Sequence, residues 1–173
     1  MASINGVTVK NVTWFRGSEG DAAQGNIYIG NKKVGFWSQD AEGSFEDIFE
    51  SDVIDMECLT QKMTEGHPKV KIGDIELDYT PEMFMQELID LIEDEKEYKK
   101  AVKKGYGGVY LIGRYASEIP KGWSEEQAED YFKDIIRSEK EYFQYSGLPV
   151  KQKYYNSAEQ FVIGKPWNVG DFQ

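Results

Sequence analysis

Apolar residues recur along this chain first at a period of two and later at a period near 3.6, and the change divides it into elements. From Gly6 to Phe15, GVTVKNVTWF accumulates β-branched and aromatic residues and predicts a strand. The polar run RGSEGDAAQG, 16–25, reads as a loop. In NIYIGNKKVGFW, Ile27 and Ile29 alternate with Tyr28, Gly30-Asn31 supplies a turn, and Val34 and Phe36 return on one face. That pattern predicts a hairpin.

Residues 44–66 support two readings. Phe45, Ile48, Phe49, Val53 and Met56 fall at helical spacing and favour an amphipathic segment with its acids outward. The same residues suit a short strand followed by a helix near Asp52 to Met63. His67-Pro68 ends whichever forms. VKIGDIELDY, 70–79, alternates again and predicts an edge strand or a tight hairpin about Gly73-Asp74.

The next helix has both ends written into it. Thr80 is its N-cap, Pro81 takes the first position, and Glu82 meets the positive end of the dipole. Phe84, Leu88, Leu91, Ile92 and Val102 form its stripe, Lys99, Lys100, Lys103 and Lys104 favour its negative end, and Gly105 stops it. The length is about 36 Å at 1.5 Å per residue. VYLIGRY, 109–115, lacks alternation, as in a strand buried on both faces. Ser124 with Gln127 makes a capping box for a helix reaching about Tyr145, with Ala128, Tyr131, Phe132, Ile135, Ile136 and Phe143 on one side. Gly147 and Pro149 end it, Val150 to Tyr155 is a last strand, and Ser157 caps a short turn, SAEQF.

This order predicts an α+β fold: an N-terminal antiparallel strand meander, then a helix–strand–helix–strand unit packing on the sheet. The strand–helix–strand passage from Val109 to Tyr155 is a right-handed crossover if its strands are parallel. With no repeat or linker, the 173 residues read as a single domain, 1–173. A chain of this length buries roughly 70% of its surface, so it needs no staples.

Composition narrows the partners. No stretch is long enough to span a bilayer, and MASINGVTVKNVTWF lacks the basic head and apolar run of a signal peptide. One cysteine, Cys58, forms no internal disulfide, so a cytoplasmic protein is expected. The net charge of −11 disfavours direct nucleic-acid binding and anionic membranes. Residues 1–95 hold 20 acids and 7 bases, net −13, whereas residues 96–173 hold 11 and 13, net +2.

Little here announces chemistry. A single His67 and Cys58 cannot build a Cys/His zinc site. Nothing around them activates a nucleophile, and Cys58 is expected in an apolar interior. No G-x-S-x-G elbow occurs. KKGYGGVYLIG runs helix, glycine, strand, the reverse of a phosphate loop. Asp40, Glu42, Glu46 and Asp47 have oxygen donors without the calcium-loop pattern. No catalytic residue, metal ligand or cofactor is assigned. The four tryptophans suit partial core positions, except that Trp37, beside the acids, suits an interface anchor.

The informative stretch is FWSQDAEGSFEDIFESDVID, 36–55, with seven acids and no base. Concentrated charge repels itself, and a basic partner relieves that. Asp40, Glu42, Glu46, Asp47, Glu50 and Asp52 would supply charge, with Trp37 or Phe45 as apolar anchor. A second acidic face, Glu87, Asp90, Asp94 and Glu97, steps along the long helix at roughly 5–6 Å, near the spacing of phosphates on a strand. The expected function is a non-enzymatic acidic protein that masks a basic, nucleic-acid-binding surface on another protein. The alternative is a binding or enzymatic domain for an anionic small molecule, using an aromatic cleft and the ridge Lys96, Lys100 and Lys104.

GNIYIGNKKVGFWSQDAEG, within residues 6–47, resembles the strand–turn–strand opening of small acidic proteins carried by bacterial phages and mobile elements. That resemblance implies an inhibitor of host nucleases, of the anti-CRISPR or anti-restriction kind, with a nuclease or CRISPR effector as partner. It carries over no site residues.

Overall fold

Two hairpin turns and a run of β-branched residues set up the N-terminal sheet. In the computed structural model, which describes residues 1–17, 20–40, 47–147 and 149–173, the chain opens with β1 (Ser3–Ile4), β2 (Val7–Gly17), β3 (Gly20–Ile29), β4 (Lys32–Gln39) and β5 (Ile48–Glu50). Next come α1 (Met56–Thr64), β6 (Val70–Ile72), β7 (Ile75–Leu77), α2 (Pro81–Lys103), β8 (Gly108–Ile112) and β9 (Tyr115–Ile119). The chain finishes with α3 (Glu125–Tyr131), α4 (Lys133–Phe143), β10 (Gln152–Tyr155) and β11 (Val162–Ile163). The fold is α+β with an N-terminal antiparallel meander.

The chain divides into two compact units. The first holds Met1–Lys69, Asp78–Leu91 and Val162–Gln173; the second holds Val70–Leu77 and Ile92–Phe161.

In the first unit a sheet runs β11-β1-β2-β3-β4-β5. β2, β3 and β4 form the meander, and β11 lies parallel to β1. The Gly30-Asn31 turn is present, with Gly30 at φ +60°. The polar segment Gly20–Gln24 is strand rather than loop, because Thr13–Gly17 pairs with it in register. Cross-strand pairing overrides its weak propensity.

A bulge alters the β4 face. Ile27 pairs with Gly35 but Tyr28 pairs with Lys33, leaving Val34 as the extra residue. Beyond it the alternation shifts, so Trp37 rather than Phe36 follows Val34 into the core. Gly35 has no room for a side chain, since a Cβ would lie 2.6 Å from the Glu50 carbonyl oxygen and 2.7 Å from Met56 Cε. β5 and the start of α1 thus lie hard against β4. Ile27, Val34, Trp37, Leu59, Met63, Phe84, Leu88 and Phe172 are among this unit's buried side chains.

The second unit is built on the antiparallel sheet β10-β8-β9. β8 is buried at all five positions, as its unbroken apolar run requires. Gly113, at φ +53°, turns the chain into β9, so VYLIGRY is a strand and a turn rather than one strand. β10 is antiparallel to β8, so the passage between them is not a parallel crossover. The second long helix is two, divided at Phe132 (φ −96°, ψ 12°). Ala128 and Ile136 pack against Tyr110, Ile112 and Ile119, whereas Tyr131 is exposed.

The local signals hold. Thr80 Oγ1 accepts the Met83 N–H at 3.3 Å, the Ser124–Gln127 capping box is complete, and Gly73 turns the β6–β7 hairpin. At the end of α2, Ala101 is buried and Val102 is exposed.

Candidate functional site

The acid run leaves the meander through β4 and returns through β5. Asp40 is exposed at the end of β4. Glu42, Phe45 and Glu46 lie outside the described residues. The run reappears at Asp47, where the half-buried carboxylate accepts the Trp37 indole N–H at 2.6 Å. Burial pushes the Asp47 carboxyl above its ordinary value; the indole bond pulls the other way, and the charge of Glu82 adds to the rise.

Trp37 is therefore not an exposed anchor. At 1% exposure it is a core residue whose polar edge fixes Asp47. The bulge at Val34 turns it inward, and no sequence period announces a bulge.

Beyond β5, Ser51 shapes the chain. Its hydroxyl donates to the Val34 carbonyl at 2.5 Å and accepts the N–H groups of Val53 and Ile54, each at 3.0 Å. This local turn leaves Glu50 and Asp52 exposed on either side. Asp55 is spent on structure: it is the N-cap of α1 and accepts the Cys58 N–H at 3.2 Å. α1 buries Leu59 and Met63 and exposes Glu57 and Gln61, with Glu65 exposed at its C-cap. Glu57 and Glu65 thus add exposed acids to the first unit, although the reading of residues 36–55 missed them. Their i, i+8 spacing against an inward Leu59 and Met63 was the available signal.

A groove of about 480 Å³ opens beside Glu50 and Asp52, between Lys33–Phe36 and Glu50–Val53. Exposed apolar side chains flank the acids: Ile48 on β5 and Val53 after it. Trp14 and Phe15 are also exposed, on β2 beyond an irregularity at Asn11, which adopts φ +57°.

The second acidic face does not exist as one surface. Glu87 and Asp90 are exposed, and Asp90 accepts from Gln86 Nε2 at 2.8 Å. Asp94 is buried at 2% exposure, where Lys151 Nζ and the Tyr155 hydroxyl donate to its two oxygens. Glu97 pairs with Lys100 at 2.6 Å. Partners from 57 and 61 residues away decide the orientation of Asp94, and helical spacing does not report them.

The lysine ridge is engaged as well. Lys99 pairs with Glu95 at 2.9 Å, Lys100 with Glu97, and Lys104 with Glu118, whose hydrogen bond holds the Lys104 ammonium above its usual value. A cleft of about 600 Å³ includes Lys96, Lys100, Arg114 and Lys151, but Glu93, Asp94 and Glu97 line it too. Four bases against three acids leave its lining close to charge balance.

Cys58 is half-exposed rather than interior, its Sγ 3.9 Å from the Asp171 carbonyl oxygen. His67 is exposed and stacks on Tyr79 with ring centroids 4.0 Å apart. Among the described residues no cluster of His, Cys, Asp or Glu could hold a metal ion. Among them, too, no helix is long and apolar enough to cross a membrane.

Sequence reasoning also missed the buried carboxylate of Glu139, which the half-exposed Arg114 pairs. Glu139, at 0% exposure, accepts from the Arg114 backbone N–H at 2.9 Å, from Nε at 3.2 Å and from Nη2 at 2.8 Å. Those bonds hold its carboxyl below the ordinary value. The Arg114 guanidinium lies 3.6 Å from the centre of the Tyr142 ring. A Cβ on Gly113 would collide with Glu139, so the turn residue must be glycine.

The charge divides between the units. Counted over the sequence, the first has 16 acids and 7 bases, net −9; the second has 15 and 13, net −2. Comparison with known protein families, with curated proteins and with solved structures finds no match to this chain.

Proposed function

We propose that this protein is a non-enzymatic acidic binding protein that masks a basic, nucleic-acid-binding surface of another protein, such as a nuclease or CRISPR effector. One observation carries the reading: nine of the eleven excess negative charges belong to the first unit, where Glu50, Asp52, Glu57 and Glu65 are exposed along β5, the following turn, α1 and its C-cap. A protein that needed charge only for solubility could spread it over both units. A predominantly negative surface instead steers a cationic partner, binds it fast at low salt and loses it as salt rises. The apolar contribution falls to Ile48 and Val53, since Trp37 is buried.

The test is competition with DNA. A panel of purified RNA-guided nucleases and restriction endonucleases is assayed for DNA cleavage with and without the protein. Inhibition of at least one of them is expected, weakening between 50 and 200 mM salt on the order of tenfold or more. The triple variant Glu50→Lys, Asp52→Lys, Glu57→Lys changes three exposed acids, none of them the α1 cap. It should lose the inhibition and flatten its salt dependence. Undiminished inhibition by the triple variant would retire the reading.

A further inference from the structure

We infer that the partner engages this surface as an added β-strand: an extended segment with an apolar and a basic residue two apart pairs with the free edge of β5. The inference rests on the acidic-surface reading and supplies its geometry. The sheet ends at β5, which pairs with β4 through Phe36↔Glu50, Trp37↔Phe49 and Ser38↔Ile48. Among the described residues no strand pairs with its other edge. A sheet edge presents backbone donors and acceptors that template another chain.

The side chains specify what that chain carries. Ile48 and Glu50 are two apart, hence on the same face of the strand, and both are exposed, Ile48 at 55%. Phe49 lies between them, half-buried and paired opposite the buried Trp37. An added strand therefore meets an apolar side chain and a carboxylate in alternation, and its matching residues are one aliphatic and one Lys or Arg at i, i+2. Asp52 lies with Glu50 on the groove of about 480 Å³, which Lys33 also lines, so that the carboxylates there outnumber the ammonium two to one. The opposite edge of the sheet, β11, is also exposed at Val162 and Ile163, but the neighbouring charge there is Lys165. A basic segment has an electrostatic reason to choose β5.

Two labelled peptides test this against the intact protein. Thr-Lys-Thr-Val-Thr-Lys-Thr-Val places Lys and Val on one face of a strand. A second peptide has every Thr replaced by Pro, keeping the charge while removing those backbone donors. The first should bind at least tenfold more tightly by fluorescence anisotropy. It should slow amide exchange at residues 48–50 and lose most of its affinity to Glu50→Lys and to Ile48→Lys. Circular dichroism establishes that both variants, at exposed positions, stay folded. Equal binding of the two peptides, or protection at 162–163 instead, overturns strand addition and leaves the acidic surface standing. Failure of both peptides to bind at low salt overturns both.

Discussion

Replacing Trp37 with Phe separates the two roles open to this residue. As a core residue, Trp37 has a nearly solvent-free ring and an indole N–H bonded to the Asp47 carboxylate at 2.6 Å. Phe fills most of the ring volume and cannot donate. The lost bond to a charged acceptor costs about 1.5–3 kcal/mol. The ring difference leaves about 40 Å³ unfilled, about 1 kcal/mol at the usual cavity cost. The sum is about 2.5–4 kcal/mol. For a chain of this size each kcal/mol moves the melting temperature by about 2–4 °C, so Tm should fall by about 5–16 °C. Urea titration followed by far-ultraviolet circular dichroism gives the free energy without relying on the fluorophore being removed. Asp47→Ala in the same background should add less than its cost in the wild type, with a coupling of at least about 1 kcal/mol. A loss below about 1 kcal/mol, or strict additivity, would show that neither the packing nor the bond is as described. Inhibition or peptide binding by the folded Trp37→Phe protein should be nearly unchanged. A tenfold loss there with stability intact would restore Trp37 as an anchor.

Three further outcomes follow from buried groups. The folded Asp47 carboxyl is raised above its ordinary 3.8, chiefly by burial, so its contribution is fully present below that value and lost as pH rises through the folded one. Asp47→Asn, which keeps an acceptor for the indole, should gain relative to wild type between pH 3 and pH 7 in urea midpoints; a gap that does not change with pH would contradict this. Glu139 has the opposite sign, because Arg114 lowers it: its contribution is present above the ordinary 4.5 and lost as pH falls through the folded value. Glu139→Gln should therefore be markedly less stable at pH 7 and converge on wild type toward pH 3, and an equal deficit at both pH values would refute the pairing. In β8, a Cβ at Gly108 would meet the Tyr155 carbonyl oxygen, a backbone atom of the paired β10. Gly108→Ala should cost on the order of 1–3 kcal/mol by thermal melting, and a neutral result would mean that the strands part easily.

Features that a few neighbouring residues decide were legible in the sequence. Thr80, the Ser124–Gln127 box, Gly30-Asn31 and Gly73 each satisfy backbone groups within one turn, so the caps and hairpins stand where the residues put them. The α+β order followed from the switch in period. What depended on distant partners was not legible. Gly20–Gln24 is a strand only because β2 lies beside it, and β9 exists because Gly113 reverses the chain within an apolar run. Asp94 read as a surface acid and Glu139 carried no signal at all, yet Lys151 and Arg114 make each a satisfied interior charge. Of the proposed partner-binding set, Asp40, Glu50 and Asp52 are exposed on the described surface, Asp47 is half-buried against Trp37, and Glu57 on α1 and Glu65 at its C-cap are exposed besides. The binary pattern predicts which residues prefer water but not which of them find a counter-charge.

The β1–β11 pairing has a consequence for biosynthesis. The first unit is discontinuous: Ser3 and Ile4 pair with Val162 and Ile163, the Asp55 N–H donates to the Phe172 carbonyl, and the Phe172 ring is buried. The second unit needs nothing beyond Phe161. All of that unit, Val70–Leu77 with Ile92–Phe161, is therefore synthesised before the closing strand of the first. Premature termination after codon 161 would thus yield a chain with one finished unit and one open sheet, the kind of nascent product that chaperones and proteases recognise.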